Sequence, residues 1–177
     1  MKNSAKSKLR WVGIIVIGVI LFGAQHIVID EAWAQDLDLT FTPVDPCRIF
    51  DSRQPGPVSG QFEPFERRDL FVYGTINIAN QGGNPAGCPS SGGEPSAVHI
   101  NVTAVPGSRV GHITVFPANM SPPNASLVNY KAWGQNIANA ATIKTFVQDD
   151  SEDISVLNAY GYAHIVIDVM GYYYPAP

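Results

Sequence analysis

Four groups of side chains in this sequence have types and spacings that could do chemistry. Asp51 stands between Arg48 and Arg53. Two guanidinium forks so placed could clamp a carboxylate or a phosphate. The plainer expectation is a structural ion pair of Arg48, Asp51 and Arg53 that uses up its own arginines and pins the start of a sheet. Asp168 lies inside the most apolar run of the chain, where a carboxylate is costly unless hydrogen-bonded. A buried acid can be catalytic. His164, however, is four residues away, ~13 Å along a strand and too far for a direct dyad. His99, His112 and His164 show no HxH or HExxH spacing, so no metal is expected on them. Asp149, Asp150, Glu152 and Asp153 could together hold calcium, the one cofactor the residues leave open. They lack the D-x-D-x-D-G loop pattern, and an acidic hairpin tip in water is the simpler reading.

The aromatic residues offer a different chemistry. Trp133 sits in a Lys-Ala-Trp-Gly-Gln loop with Gln135 and Asn136 beside it and Tyr130 just before it. A ring face can stack on a pyranose while neighbouring amides bond its hydroxyls. Tyr160, Tyr162, Tyr172, Tyr173 and Tyr174 add to this set, with capping of the core as the competing role. No G-x-S-x-G elbow, phosphate loop or recognisable carboxylate pair occurs, so no catalytic residue is expected.

The N-terminus decides which residues must position these groups. Lys2, Lys6, Lys8 and Arg10 precede the apolar run 11–22, and Ala32-Trp33-Ala34 follows. Charge, apolar run and small residues in that order predict a secretory signal peptide over residues 1–34. An uncleaved anchor over 11–29 is the alternative, broken by Gln25 and His26. Residues 35–177 are then one domain. They carry seven Lys and Arg against thirteen Asp and Glu, a net charge of −6. That balance excludes phosphate-backbone binding and docking to anionic lipid. Both cysteines, Cys47 and Cys88, fall in this part. An even count in an exported chain reads as a disulfide.

Helical periodicity is absent after residue 35. Short runs rich in Val, Ile, Thr, Phe and Tyr lie between Pro and Gly breaks. Strands are expected over 37–42, 48–50, 70–73, 97–105, 111–116, 127–131, 140–147, 154–158 and 163–173. The last is apolar on both faces, which places it mid-sheet. The segments 52–64 and 81–95 are long loops. The count of strands predicts an antiparallel β-sandwich, jelly-roll or immunoglobulin-like, with a barrel-like variant second.

Several segments together carry a resemblance. Residues 46–53, Pro-Cys-Arg-Ile-Phe-Asp-Ser-Arg, resemble a PCR-x-x-D-[ST]-R opening. Residues 101–105 (NVTAV) and 111–118 (GHITVFPA) resemble an NVT-x-V segment and the strand after it. Residues 136–140 resemble an x-x-ANA segment, and 154–156 and 163–172 resemble ISV followed by IDV-x-GY. The chain is thus similar to an uncharacterised family of bacterial secreted and cell-surface β modules. The resemblance implies an extracellular β-rich module with a cysteine pair, and no activity. Residues 77–94 depart from it, being longer and richer in glycine, so it does not place Cys88 in the fold. The expected function is attachment or interaction without catalysis, with a glycan or another cell-envelope component as partner. A self-assembling subunit of a surface layer or fibre is the alternative, and an extracellular hydrolase comes third.

Overall fold

Among the described residues eight strands make up the fold: β1 (Leu39–Asp51), β2 (Glu66–Leu70), β3 (Ala97–Pro106), β4 (Gly111–Pro117), β5 (Val128–Tyr130), β6 (Ile137–Lys144), β7 (Ile154–Ala159) and β8 (Ala163–Pro175). One short helix, α1 (Ile76–Asn80), follows β2. The structure is a computed structural model that describes residues 38–90, 93–148 and 151–176. The expected signal peptide lies outside the described residues. Residues Leu37–Pro177 form one compact unit. No helix among the described residues is long and apolar enough to cross a membrane.

All strand pairings are antiparallel, and they build two four-stranded sheets. The strand orders are β1-β8-β3-β6 and β2-β7-β4-β5. Neither sheet closes on itself, so the architecture is a sandwich and not a barrel. Period-two alternation explains the core. Val98, Ile100, Val102 and Ala104 of β3 face inward and are buried, while His99, Asn101 and Thr103 face outward. Strand β8, apolar on both faces, lies between β1 and β3. Its Ile165, Ile167 and Val169 meet Ile113, Ile154 and Val156 in one cluster. Full burial of each such side chain is worth about 1.5–3 kcal/mol.

Two strands differ from expectation. The runs 37–42 and 48–50 belong to one strand, β1, whose register with β8 shifts between Pro43 and Cys47. Prolines lack an N–H, and an edge position with a bulge accommodates them. The charged residues 66–69, not 70–73, form β2. This edge strand tolerates charge because its charges are paired, Arg67 with Asp69 and Arg68 with Glu66. The Arg68 guanidinium also lies 3.9 Å over the Phe62 ring.

Candidate functional site

Near Cys47, the fold gathers the Arg and Asp residues singled out above. Arg48 of β1 and Asp168 of β8 are paired across the sheet. Arg48 Nε donates to Asp168 Oδ1 (2.8 Å) and Nη2 donates to Oδ2 (3.1 Å). Asp51 is buried and accepts from Arg53 Nε (2.9 Å), Arg53 Nη2 (2.8 Å) and the Arg53 amide (3.0 Å). Burial alone would raise the Asp51 pKa, but the Arg53 hydrogen bonds and charge, with Arg48 behind them, hold it below the usual carboxylate range. A cleft of about 440 Å³ opens beside these groups, lined by Arg48, Asp51, Gln54 and Asn84 among others. Both guanidinium forks are already engaged by carboxylates, so the cleft offers no free clamp for an anion.

The Cys47–Cys88 disulfide closes next to this network, with Cα atoms 5.7 Å apart and both residues buried. It holds the glycine-rich loop 81–95 against β1. Gln81 reinforces the attachment, since its amide donates to the Ile49 and Phe71 carbonyls and accepts from the Phe71 N–H. At Gly83 a Cβ would lie 2.6 Å from the Ile49 carbonyl, so the glycine permits the close approach.

The histidines are dispersed. His164 Nδ1 lies 3.1 Å from Ser52 Oγ, which also accepts from the Ile165 amide. The hydroxyl thus links the ring to the backbone of β8. Burial lowers the His164 pKa, as does the nearby Arg53 charge. Ser52 is buried, so this pair is a tie between β8 and the turn after β1. His99 bonds Thr142, and His112 lies against Tyr160. Among the described residues no three His, Cys, Asp or Glu side chains gather to hold a metal. Asp149 and Asp150 lie outside the described residues. Asp153 does not belong to an exposed tip: it is buried, with Oδ2 accepting from the Val72 amide at 2.7 Å.

The Trp133 loop joins β5 to β6. Trp133 is 79% exposed and Gln135 and Asn136 are exposed beside it. A cleft of about 370 Å³ is lined by Asn129, Lys131, Gln135, Asn136 and Ile137 together with Tyr130 and Gly134. The backbone that carries the indole is held in place by hydrogen bonds. The Gly134 N–H donates to Lys131 O (3.2 Å), which makes 131–134 a turn, and the Trp133 N–H donates to Gly107 O (2.8 Å). Trp133 has φ 50°, the left-handed value that a type II turn requires at its third residue and that glycine ordinarily supplies. Holding a bulky residue there costs about 1–2 kcal/mol.

Tyr130 corrects the expectation of a fourth contact residue. It is buried, and its hydroxyl donates to Asn158 Oδ1 at 2.5 Å. Its ring packs beside Gly111 and Gly161 and is not free to stack on a ligand. Tyr172 is likewise internal, donating to the Val72 carbonyl, and Tyr173 packs on Phe41. The alternation of the sequence does not reveal these differences, because a short strand such as β5 has too few residues to define its inward face. No family model, no curated protein and no solved structure matches this chain.

Proposed function

We propose that this chain is a secreted or cell-surface module that attaches to carbohydrate without catalysis, with Trp133 as the stacking platform and Gln135 and Asn136 as hydroxyl partners. The carrying observation is a 79% exposed indole on a hydrogen-bonded turn of strained backbone conformation, beside exposed amides. Burial of an indole would stabilise a fold. Exposure at a strained turn instead suits a ring kept ready for a partner. The buried disulfide and the signal-like residues 1–34 support an extracellular setting.

The test is retention on insoluble cellulose, chitin and peptidoglycan. The wild-type chain is expected to be retained on at least one, and Trp133→Ala to lose at least tenfold in affinity with an unchanged melting temperature. Equal retention of both proteins would remove Trp133 from the function.

One observation favours self-association as the second reading. Three of the four sheet edges are guarded against pairing: β1 by Pro43, Pro46 and a register shift, β2 by its charges, β5 by being three residues long. Strand β6 has eight residues, no proline, no acidic residue and one lysine at its end, and it is exposed along most of its length. Under this reading the wild type sediments as an oligomer and Ala140→Lys sediments as a monomer. A monomeric wild type at high concentration would exclude it.

A further inference from the structure

Three residues other than glycine among those described adopt a positive φ: Phe65 at 64°, Trp133 at 50° and Tyr160 at 70°. All three are aromatic, and all three are exposed, at 63%, 79% and 59%. Bulky residues at positive φ are outliers, and such outliers cluster where a function requires them. Each sits where a turn normally takes glycine. The Glu66 N–H donates to Glu63 O (3.2 Å), so Pro64 and Phe65 are the central residues of a turn with proline second and an aromatic third. The Gly161 N–H donates to Ala159 O (3.0 Å), which makes Tyr160 the centre of a γ-turn of the rare positive-φ kind.

The three turns are at one end of the sandwich, and one side chain ties two of them directly. Asn158, fully buried, donates from Nδ2 to Glu63 O (3.0 Å) in the Phe65 turn and to Gly161 O (2.6 Å) beside Tyr160. Its Oδ1 accepts from Tyr130, the last residue of β5 before the Trp133 loop. Backbone bonds complete the connection, from Trp133 N–H to Gly107 O and from Gly107 N–H to Tyr162 O (2.7 Å). The Phe65 and Tyr160 rings meet at 5.0 Å and 73°, and His112 lies 5.9 Å from Tyr160. A solvent-exposed ring pair held on two strained turns is a second platform. The residues 95–148 that carry the Trp133 loop contain no Asp or Glu, and Arg109 and Lys131 are among them. No carboxylate of that segment therefore competes for hydroxyls near the indole.

We infer that the Phe65–Tyr160 pair is a second sugar-stacking subsite, so that the ligand is an extended β-1,4-linked polysaccharide spanning both platforms and not a single sugar. Equatorial linkage leaves flat apolar pyranose faces along the chain, which rings can cover in succession while His112, Gln135 and Asn136 bond hydroxyls. This inference rests on the reading of Trp133 as the first platform and adds to it the length of the ligand.

The test compares binding of disaccharides and hexasaccharides of the cello- and chito-series by wild type, Trp133→Ala, Phe65→Gly and Tyr160→Gly. Glycine adopts these backbone conformations without strain and the replaced rings are exposed, so both glycine variants should melt no lower than wild type. They are expected to bind a disaccharide as wild type does and a hexasaccharide at least tenfold more weakly. Trp133→Ala should weaken both. If the glycine variants bind the hexasaccharides like wild type while Trp133→Ala fails, the second subsite is overturned and the first stands. Equal loss at both lengths would overturn the length assignment. If wild type binds neither series, both readings fall.

Discussion

Replacing Cys47 and Cys88 together by serine is expected to lower the unfolding free energy by about 4 kcal/mol. The disulfide closes a loop of 41 residues, and the chain-entropy model assigns that amount to a loop of this size. The loss is comparable with the net stability of a small domain, so the double variant should be marginal at 37 °C. Structure points the same way. The bridge is the one covalent tie on the glycine-rich loop 81–95, which otherwise depends on Gln81, on Asn84 and on close packing at Gly83. Urea denaturation of wild type and double variant, with and without reductant, measures the effect. A difference below about 1 kcal/mol would mean that the loop is held by its hydrogen bonds alone.

The second large effect is a pH dependence centred on Asp153. This residue is buried where β2 ends and β7 begins, its amide bonded to Leu70 O, with Oδ1 lacking any hydrogen-bond partner. Burial, opposed by the Val72 amide and aided by Glu94 and Glu152, pushes its pKa up to about 7. The folded chain therefore holds a proton between about pH 4 and 7 that the unfolded chain has released. Stability from this group is complete below pH 4, falls as pH rises through the window, and levels off above 7. The loss is at most about 4 kcal/mol, since each pKa unit is worth about 1.4 kcal/mol. Asp153→Asn keeps an acceptor for Val72 and removes the charge. The difference in stability between variant and wild type should grow with pH across this window. A difference that does not change with pH would show that the carboxyl titrates like one in water.

Much of the sandwich was legible because inward and outward residues alternate in β3 and because β8 is apolar on both faces. The charged strand β2 was not legible, since its stability comes from ion pairs and from Arg68 lying over Phe62, neither visible as a pattern. The prolines of β1 likewise disguised one bulged edge strand as two pieces. At the candidate site, Trp133, Gln135 and Asn136 are exposed together because one loop carries all three. Tyr130 was misplaced because burial of β5 depends on the opposite sheet. Asp153 was assigned to water with its acidic neighbours, although its amide, its carbonyl and Oδ2 all bond inward. Phe65 went unnoticed, yet Glu63-Pro64-Phe65-Glu66 carries a usable signal: proline in second place demands positive φ or near-helical backbone next, and an aromatic there is unusual. What joins the Phe65 and Tyr160 turns is Asn158, which also holds Tyr130 at the foot of the Trp133 loop, and such contacts belong to the tertiary fold.

The most direct test of a carbohydrate-binding end face uses the compact unit Leu37–Pro177, in which Trp133 is the only tryptophan. Titration with cellohexaose and chitohexaose should shift its emission to shorter wavelength, saturably, as one of these sugars covers the exposed indole. Emission unchanged by either sugar, at concentrations where the chain is retained on the corresponding polysaccharide, would contradict the account and put the binding surface elsewhere.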